Sequence, residues 1–189
     1  MKLSAIMQKI LWLMPCMLYQ QDAYAWGLIT HLYFADSLLW AMPLLDPKLQ
    51  RAIKRFPQLV MAGACLPDLA VVSKKFHGNH HWMHIPQMLN EVESEADLAI
   101  AIGYVSHLYV DVIAHNHFVP AHEAMYAHES ILTHISVEWA MDAKLSPLMQ
   151  QTPNQLLKQH HLALLSFCVQ HFSVDQASCK QALKQLAFW

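Results

Sequence analysis

Glycine is scarce, four residues in 189, and no stretch alternates apolar with polar side chains. That leaves neither the turns nor the period-two pattern of a sheet protein. Charge is thin as well, only 14 % of residues being Asp, Glu, Lys or Arg. There is no basic stretch to track a nucleic-acid backbone. Setting aside Lys2, Lys9 and Asp22, which belong to the leader described below, ten basic and thirteen acidic residues remain. A domain so mildly acidic must take any affinity for phosphate from another source, and bound metal cations supply the largest local positive charges. None of the four cysteines has CxxC spacing, which excludes a cysteine-zinc or dithiol motif. Nothing resembles a GxSxG elbow, an internal repeat or a low-complexity linker.

The length suits one domain with a real core. At the N-terminus Lys2 and Lys9 precede an apolar run from Ile10 to Tyr19 and then Ala23-Tyr24-Ala25, the small-x-small form of a signal-peptidase site. The run is shorter than the roughly 20 residues a permanent anchor needs. Residues 1–25 are therefore expected to be a cleaved signal peptide and 26–189 the exported domain, periplasmic or secreted, beginning at Trp26. Of the cysteines past the cleavage point, Cys168 and Cys179 lie in adjacent predicted helices and can pair, which leaves Cys65 as a buried thiol.

Apolar residues recur at helical spacing through most of this domain, so the fold class expected is all-α, a single-domain helical bundle. Asp46-Pro47, Ser94 with Asp97, Thr152-Pro153, and Ser173 with Gln176 read as helix starts. The helices expected are 30–42, 46–56, 94–117, 130–145, 153–171 and 173–187, with 63–93 irregular. Leu98 to Ile113 is apolar almost all round, the mark of a helix surrounded by others.

Fourteen histidines stand out against this background. His107, Asp111 and His115 recur at i, i+4 and i+8, so they share one face of the central helix about 6 Å apart per step. A buried Asp there needs a partner or a metal. His107 and Asp111 can hold one ion, whereas His115, about 12 Å along the axis from His107, serves a second. Asp111, between them, is placed to bridge. His134 and Glu138 form another i, i+4 pair in apolar surroundings, and imidazole with carboxylate suits zinc.

These residues resemble the zinc-dependent phospholipase C and S1/P1 nuclease superfamily, whose members are all-helical and bind three zinc ions. The likeness runs from Trp26 to Glu138, though the chain is shorter than the well-known members. Trp26-Gly27-Leu28-Ile29-Thr30-His31 looks like the WGxxxH opening of the nuclease branch. The resemblance implies that Trp26 chelates zinc through its free α-amine and carbonyl, with His31 and Asp111. It implies further that Asp68, in Leu66-Pro67-Asp68, joins His84, His107 and Asp111 around another zinc, with His81 a rival to His84, while His77 and His80 crowd the same loop. His115, with His117 as the alternative, completes the third site with His134 and Glu138.

The function implied is hydrolysis of a phosphodiester by a zinc-activated water, with Asp111 bridging and Asp68 orienting or deprotonating that water. The lack of a basic groove favours a phospholipid headgroup or membrane surface as partner; the WGxxxH spacing favours single-stranded nucleic acid. A zinc-binding domain without turnover is the third possibility. No protein partner is evident. Tyr104, Tyr109, Trp82 and Trp139 are aromatic candidates for a cleft wall or for the core.

Overall fold

The computed structural model describes residues 27–126 and 131–188. The leader 1–25 and Trp26, the candidate terminal ligand, lie outside these residues. Every regular element among the described residues is a helix: α1 Leu28–Ala41, α2 Pro47–Arg55, α3 Pro57–Gly63, α4 Leu69–Val72, α5 Ile85–Glu91 and α6 Glu95–Ile113, followed by α7 Val119–Tyr126, α8 Ile131–Leu145, α9 Pro153–Gln159, α10 His161–His171 and α11 Gln176–Leu186. The all-α expectation holds.

Local chemistry explains most of the boundaries. Asp46 accepts from the Lys48 amide at 2.8 Å and Pro47 opens α2. Ser94 accepts from Asp97 N–H at 3.0 Å, and Thr152 and Gln155 satisfy one another's backbone in a capping box ahead of α9. The cap expected at Ser173 is supplied instead by Asp175, which accepts from Ser178 N–H at 2.9 Å, so the last helix begins at Gln176. The helix expected over 153–171 breaks at His160, whose ψ of 14° departs from helical geometry. The central helix ends at Ile113 rather than 117 because residues Ala114–Phe118 open into a π turn. Turns of this kind are frequent at functional sites.

Helix α6 packs against α1, α2, α3, α5 and α10, while α1 also touches α8. The surround is incomplete. Leu98 to Leu108 supply buried core, but Tyr109, Val112 and Ile113 project into solvent from the last turn. Cys65, Cys168 and Cys179 are all buried free thiols, so the pairing considered for the last two is not formed.

Two glycines let α3 and α6 cross at backbone contact. A Cβ on Gly63 would strike the Ile100 carbonyl, and one on Gly103 would strike the Val60 carbonyl and the Ala64 amide. One turn beyond Gly103, the same crossing brings His107 Nδ1 to 2.7 Å from the Ala64 carbonyl. Gly103→Ala is therefore expected to destabilise the protein by roughly 1–3 kcal/mol through overpacking. Gly78→Ala, whose added methyl meets nothing within 4 Å, should be near neutral. Thermal melts of both variants check this; equal midpoints would show that the crossing tolerates a methyl.

Candidate metal centre

Helix α6 supplies the middle of the site. His107 and Asp111 face inward one turn apart, His107 fully buried and Asp111 7 % exposed. Because a carbonyl can only accept, His107 Nδ1 donates to Ala64 O, which turns Nε2 toward the carboxylates. That nitrogen lies 3.2 Å from Asp111 Oδ2 and 3.7 Å from Asp68 Oδ1. Asp68 is brought in by the buried turn Leu66–Asp68, where Pro67 fixes the backbone.

Helix α1 contributes His31, also fully buried, its ring stacked on His107 with centroids 3.5 Å apart and planes 14° from parallel. His31 Nε2 lies 3.3 Å from Asp111 Oδ1. The second carboxylate oxygen takes His80, Nε2 to Oδ2 being 2.9 Å. Further along, His115 Nε2 is 3.9 Å from Asp111 Oδ1, and its ring stacks on that of His134 at 5.1 Å. His134 Nε2 lies 2.9 Å from Glu138 Oε1 on α8.

Many of these atoms lack hydrogen-bond partners. His31 Nε2, Asp68 Oδ1, His107 Nε2, Asp111 Oδ1, His134 Nε2 and Glu138 Oε1 are buried and make no aligned hydrogen bond. A buried polar atom left so destabilises a fold by about 1–3 kcal/mol. The donor groups form two sets, His31 with His107 and Asp111, and His115 with His134 and Glu138, each with one donor atom from every member within 4.8 Å of the others. Imidazole nitrogens and carboxylate oxygens around one point are a zinc donor set.

Electrostatics agrees. Burial, with His107 adding to it, lowers the His31 imidazole to about 4, so His31 is neutral as a ligand must be. Burial would raise Asp111, but His107, His31 and His80 outweigh it and hold the carboxylate well below its usual range. For His107 burial acts downward, and Asp111 and Asp68 reverse it. Burial pushes Asp68 up to about 7 and Glu138 up to about 8.

Residues 30–179 match the family described as zinc dependent phospholipase C. The chain belongs to that family. Its members are phosphodiester hydrolases that depend on zinc, which is the chemistry these donor sets fit. No curated protein sequence and no solved structure matches the chain.

Of the residues expected in this zinc-dependent phospholipase C domain, His31, Asp68, His107, Asp111, His115, His134 and Glu138 are brought together. His84 is not. Its side chain is exposed on the short turn Trp82–His84 and no hydrogen bond or ion pair joins it to Asp111 or Asp68, and His81 is exposed too. His80, one of the histidines crowding that loop, is the one that reaches Asp111, and nothing in the spacing of an irregular loop singles it out. His117 is exposed, whereas His115 faces the site. Among the aromatic candidates Tyr104 is core, fully buried, while Trp82, Tyr109 and Trp139 are exposed. Asp142 was missed, although it continues the His134, Glu138 series by one more turn; it accepts from Thr30 N–H at 2.8 Å.

The raised Glu138 has a consequence for the metal-free protein. Between its ordinary value of 4.5 and about 8, the folded chain holds a proton there that the unfolded chain has released, so this group's contribution to stability falls as pH rises through that window. His31, lowered, acts oppositely, but its effect is complete by 6.5. His107, raised, acts in the same direction as Glu138. Metal-free protein should therefore lose stability from pH 7 to 8, and Glu138→Gln should reduce that loss while weakening zinc binding. Chemical denaturation at both pH values measures it; an unchanged loss in the variant would contradict the buried, protonated Glu138.

Proposed function

We propose that the protein is an exported phospholipase C-like enzyme that hydrolyses phospholipids with a trinuclear zinc site. The observation that carries this reading is the convergence of imidazole and carboxylate donors in two sets, one at Asp111 and the other reached through His115, together with the buried His31, Asp68, His107, Asp111, His134 and Glu138 atoms that make no hydrogen bond. Trp26 with His31 and Asp111 would hold one zinc; Asp68, His80, His107 and Asp111 the second, with His80 in the role first given to His84; His115, His134 and Glu138 the third. Export rests on the Ala23-Tyr24-Ala25 cleavage pattern, which would give Trp26 a free amine.

Bound zinc supplies a water with its pKa lowered toward 7 and positive charge against the phosphodiester oxygens. The chain's own groups do the rest. The two oxygens of Asp111 face different partners, Oδ1 toward His31 and His115 and Oδ2 toward His80 and His107, which suits a carboxylate shared between two ions. Asp68, buried beside His107 and with Oδ1 making no hydrogen bond, is placed to orient or deprotonate the attacking water as well as to bind metal. His107, tethered to Ala64 O, keeps one ring nitrogen fixed on the site.

A lipid substrate is favoured by the surroundings. Trp82 and Tyr109 are exposed and packed edge to face with ring centroids 6.5 Å apart, and Met83, Val112, Ile113 and Trp139 are further large apolar side chains left exposed. Exposed apolar clusters of this kind mark membrane or partner contact. The test is to assay the processed protein on phosphatidylcholine, single-stranded DNA and a chromogenic phosphodiester, with zinc content measured on the same sample. Phosphatidylcholine should be cleaved and close to three zinc ions found per chain, and Asp111→Asn should abolish activity and release metal. Cleavage of DNA alone would reassign the substrate; undiminished zinc in Asp111→Asn would refute the shared carboxylate.

A further inference from the structure

Asp142 belongs to neither donor set, yet it sits on the side of α8 that carries His134 and Glu138, one turn beyond the glutamate. Its Oδ1 accepts from Thr30 N–H at 2.8 Å and from the Thr30 hydroxyl at 2.6 Å, and its Oδ2 accepts from Ile29 N–H at 3.3 Å. These amides open α1, where a helix has no i−4 carbonyl for its first N–H groups, and Thr30 N–H is shared between Asp142 and the Gly27 carbonyl at 3.0 Å. Asp142 thus caps a helix to which it does not belong, from 112 residues away in sequence. The residue in the ordinary capping place is Gly27, which has no side chain to offer. A Cβ on Gly27 would overlap the Asp142 carboxylate, so the glycine leaves the space that the aspartate fills.

The gripped turn ends one residue before His31. Neither ring nitrogen of His31 has a hydrogen-bond partner, so nothing of that kind fixes the imidazole from its own side. Its stacking on His107 and its approach to Asp111 depend on where the first turn of α1 lies. α8, the helix that holds this turn, also carries the His134 and Glu138 donors.

We infer that Asp142 is a positioning residue for the metal centre: by gripping Ile29 and Thr30 it seats His31 against His107 and Asp111, and it ties that donor set to the one on its own helix. The inference rests on the reading of these sets as zinc sites. An ordinary cap would stabilise α1 and do nothing selective for metal. The positioning role makes the His31 set weaken on loss of Asp142 while the His134 and Glu138 set is spared.

The test is calorimetric zinc titration of metal-stripped, processed protein, with His31→Ala and Glu138→Gln identifying which class of binding belongs to which set. Asp142→Ala should lower affinity in the His31 class by about 10- to 100-fold, the range for loss of a group that orients a ligand. The Glu138 class should stay near the parent value. Should Asp142→Ala fail to fold, the near-isosteric Asp142→Asn carries the same criterion, because its amide nitrogen cannot accept from Ile29 N–H. A lower melting temperature with parent affinity in both classes would make Asp142 a plain helix cap and overturn the inference alone. Absence of zinc binding by the parent would bring down the metal reading and this inference with it.

Discussion

Asp111 keeps its charge inside the protein because imidazoles surround it. It stands 7 % exposed in a helix rich in Leu, Val, Ile and Ala, and His31, His80 and His107 hold its carboxylate well below the usual range. An isolated ionised carboxylate in such a place would neutralise or unfold the site. The arrangement solves that problem and creates another. With His31 and His107 stacked face to face at 3.5 Å, both ring nitrogens of His31 and Nε2 of His107 are buried without hydrogen bonds, lone-pair positions that a bound metal ion would satisfy. Burial and His107 together keep His31 neutral at physiological pH, which is the state that coordinates metal. The donor geometry, the unpartnered atoms and the zinc-dependent phospholipase C family all point to that ion.

The rest of the fold serves this cluster. Gly63 and Gly103 let α3 and α6 touch backbone to backbone, which brings the Ala64 carbonyl within reach of His107 Nδ1. Gly27 leaves room for Asp142, which fixes the start of α1 ahead of His31. At the far end of α6 the helix widens into the π turn Ala114–Phe118, and His115 within it stacks on His134. Three separated stretches of chain, α1, α6 with its π turn, and the loop between α4 and α5, therefore place imidazoles within 3.9 Å of a single carboxylate, and α8 joins them through His134, stacked on His115.

Much of this was legible in the sequence wherever a helix carried it. The i, i+4 spacing of His107 with Asp111 and of His134 with Glu138 holds because regular helices preserve register over one turn. His115 could be preferred to His117 on the same ground, although the helix itself becomes irregular there. The histidine of the loop was misplaced, since residues 74–84 form short turns with no period, and burial, not spacing, separates His80 from His84. Asp142 was visible as the next step of the His134, Glu138 series, but its role depends on the end of a helix more than a hundred residues away. The Ser173 cap and the unbroken helix over 153–171 failed for a local reason: Asp175 competes as the cap, and His160 takes a backbone angle that periodicity of apolar residues does not report.

The central claim is that zinc occupies the space around Asp111. Anomalous diffraction at the zinc absorption edge, from crystals of protein purified without chelator, addresses it directly. The account predicts peaks among Asp68, His80, His31, His107 and Asp111 and a separate peak at His115, His134 and Glu138, with His84 outside every coordination sphere. Crystals showing the same stacked imidazoles but no anomalous density at either set would contradict it.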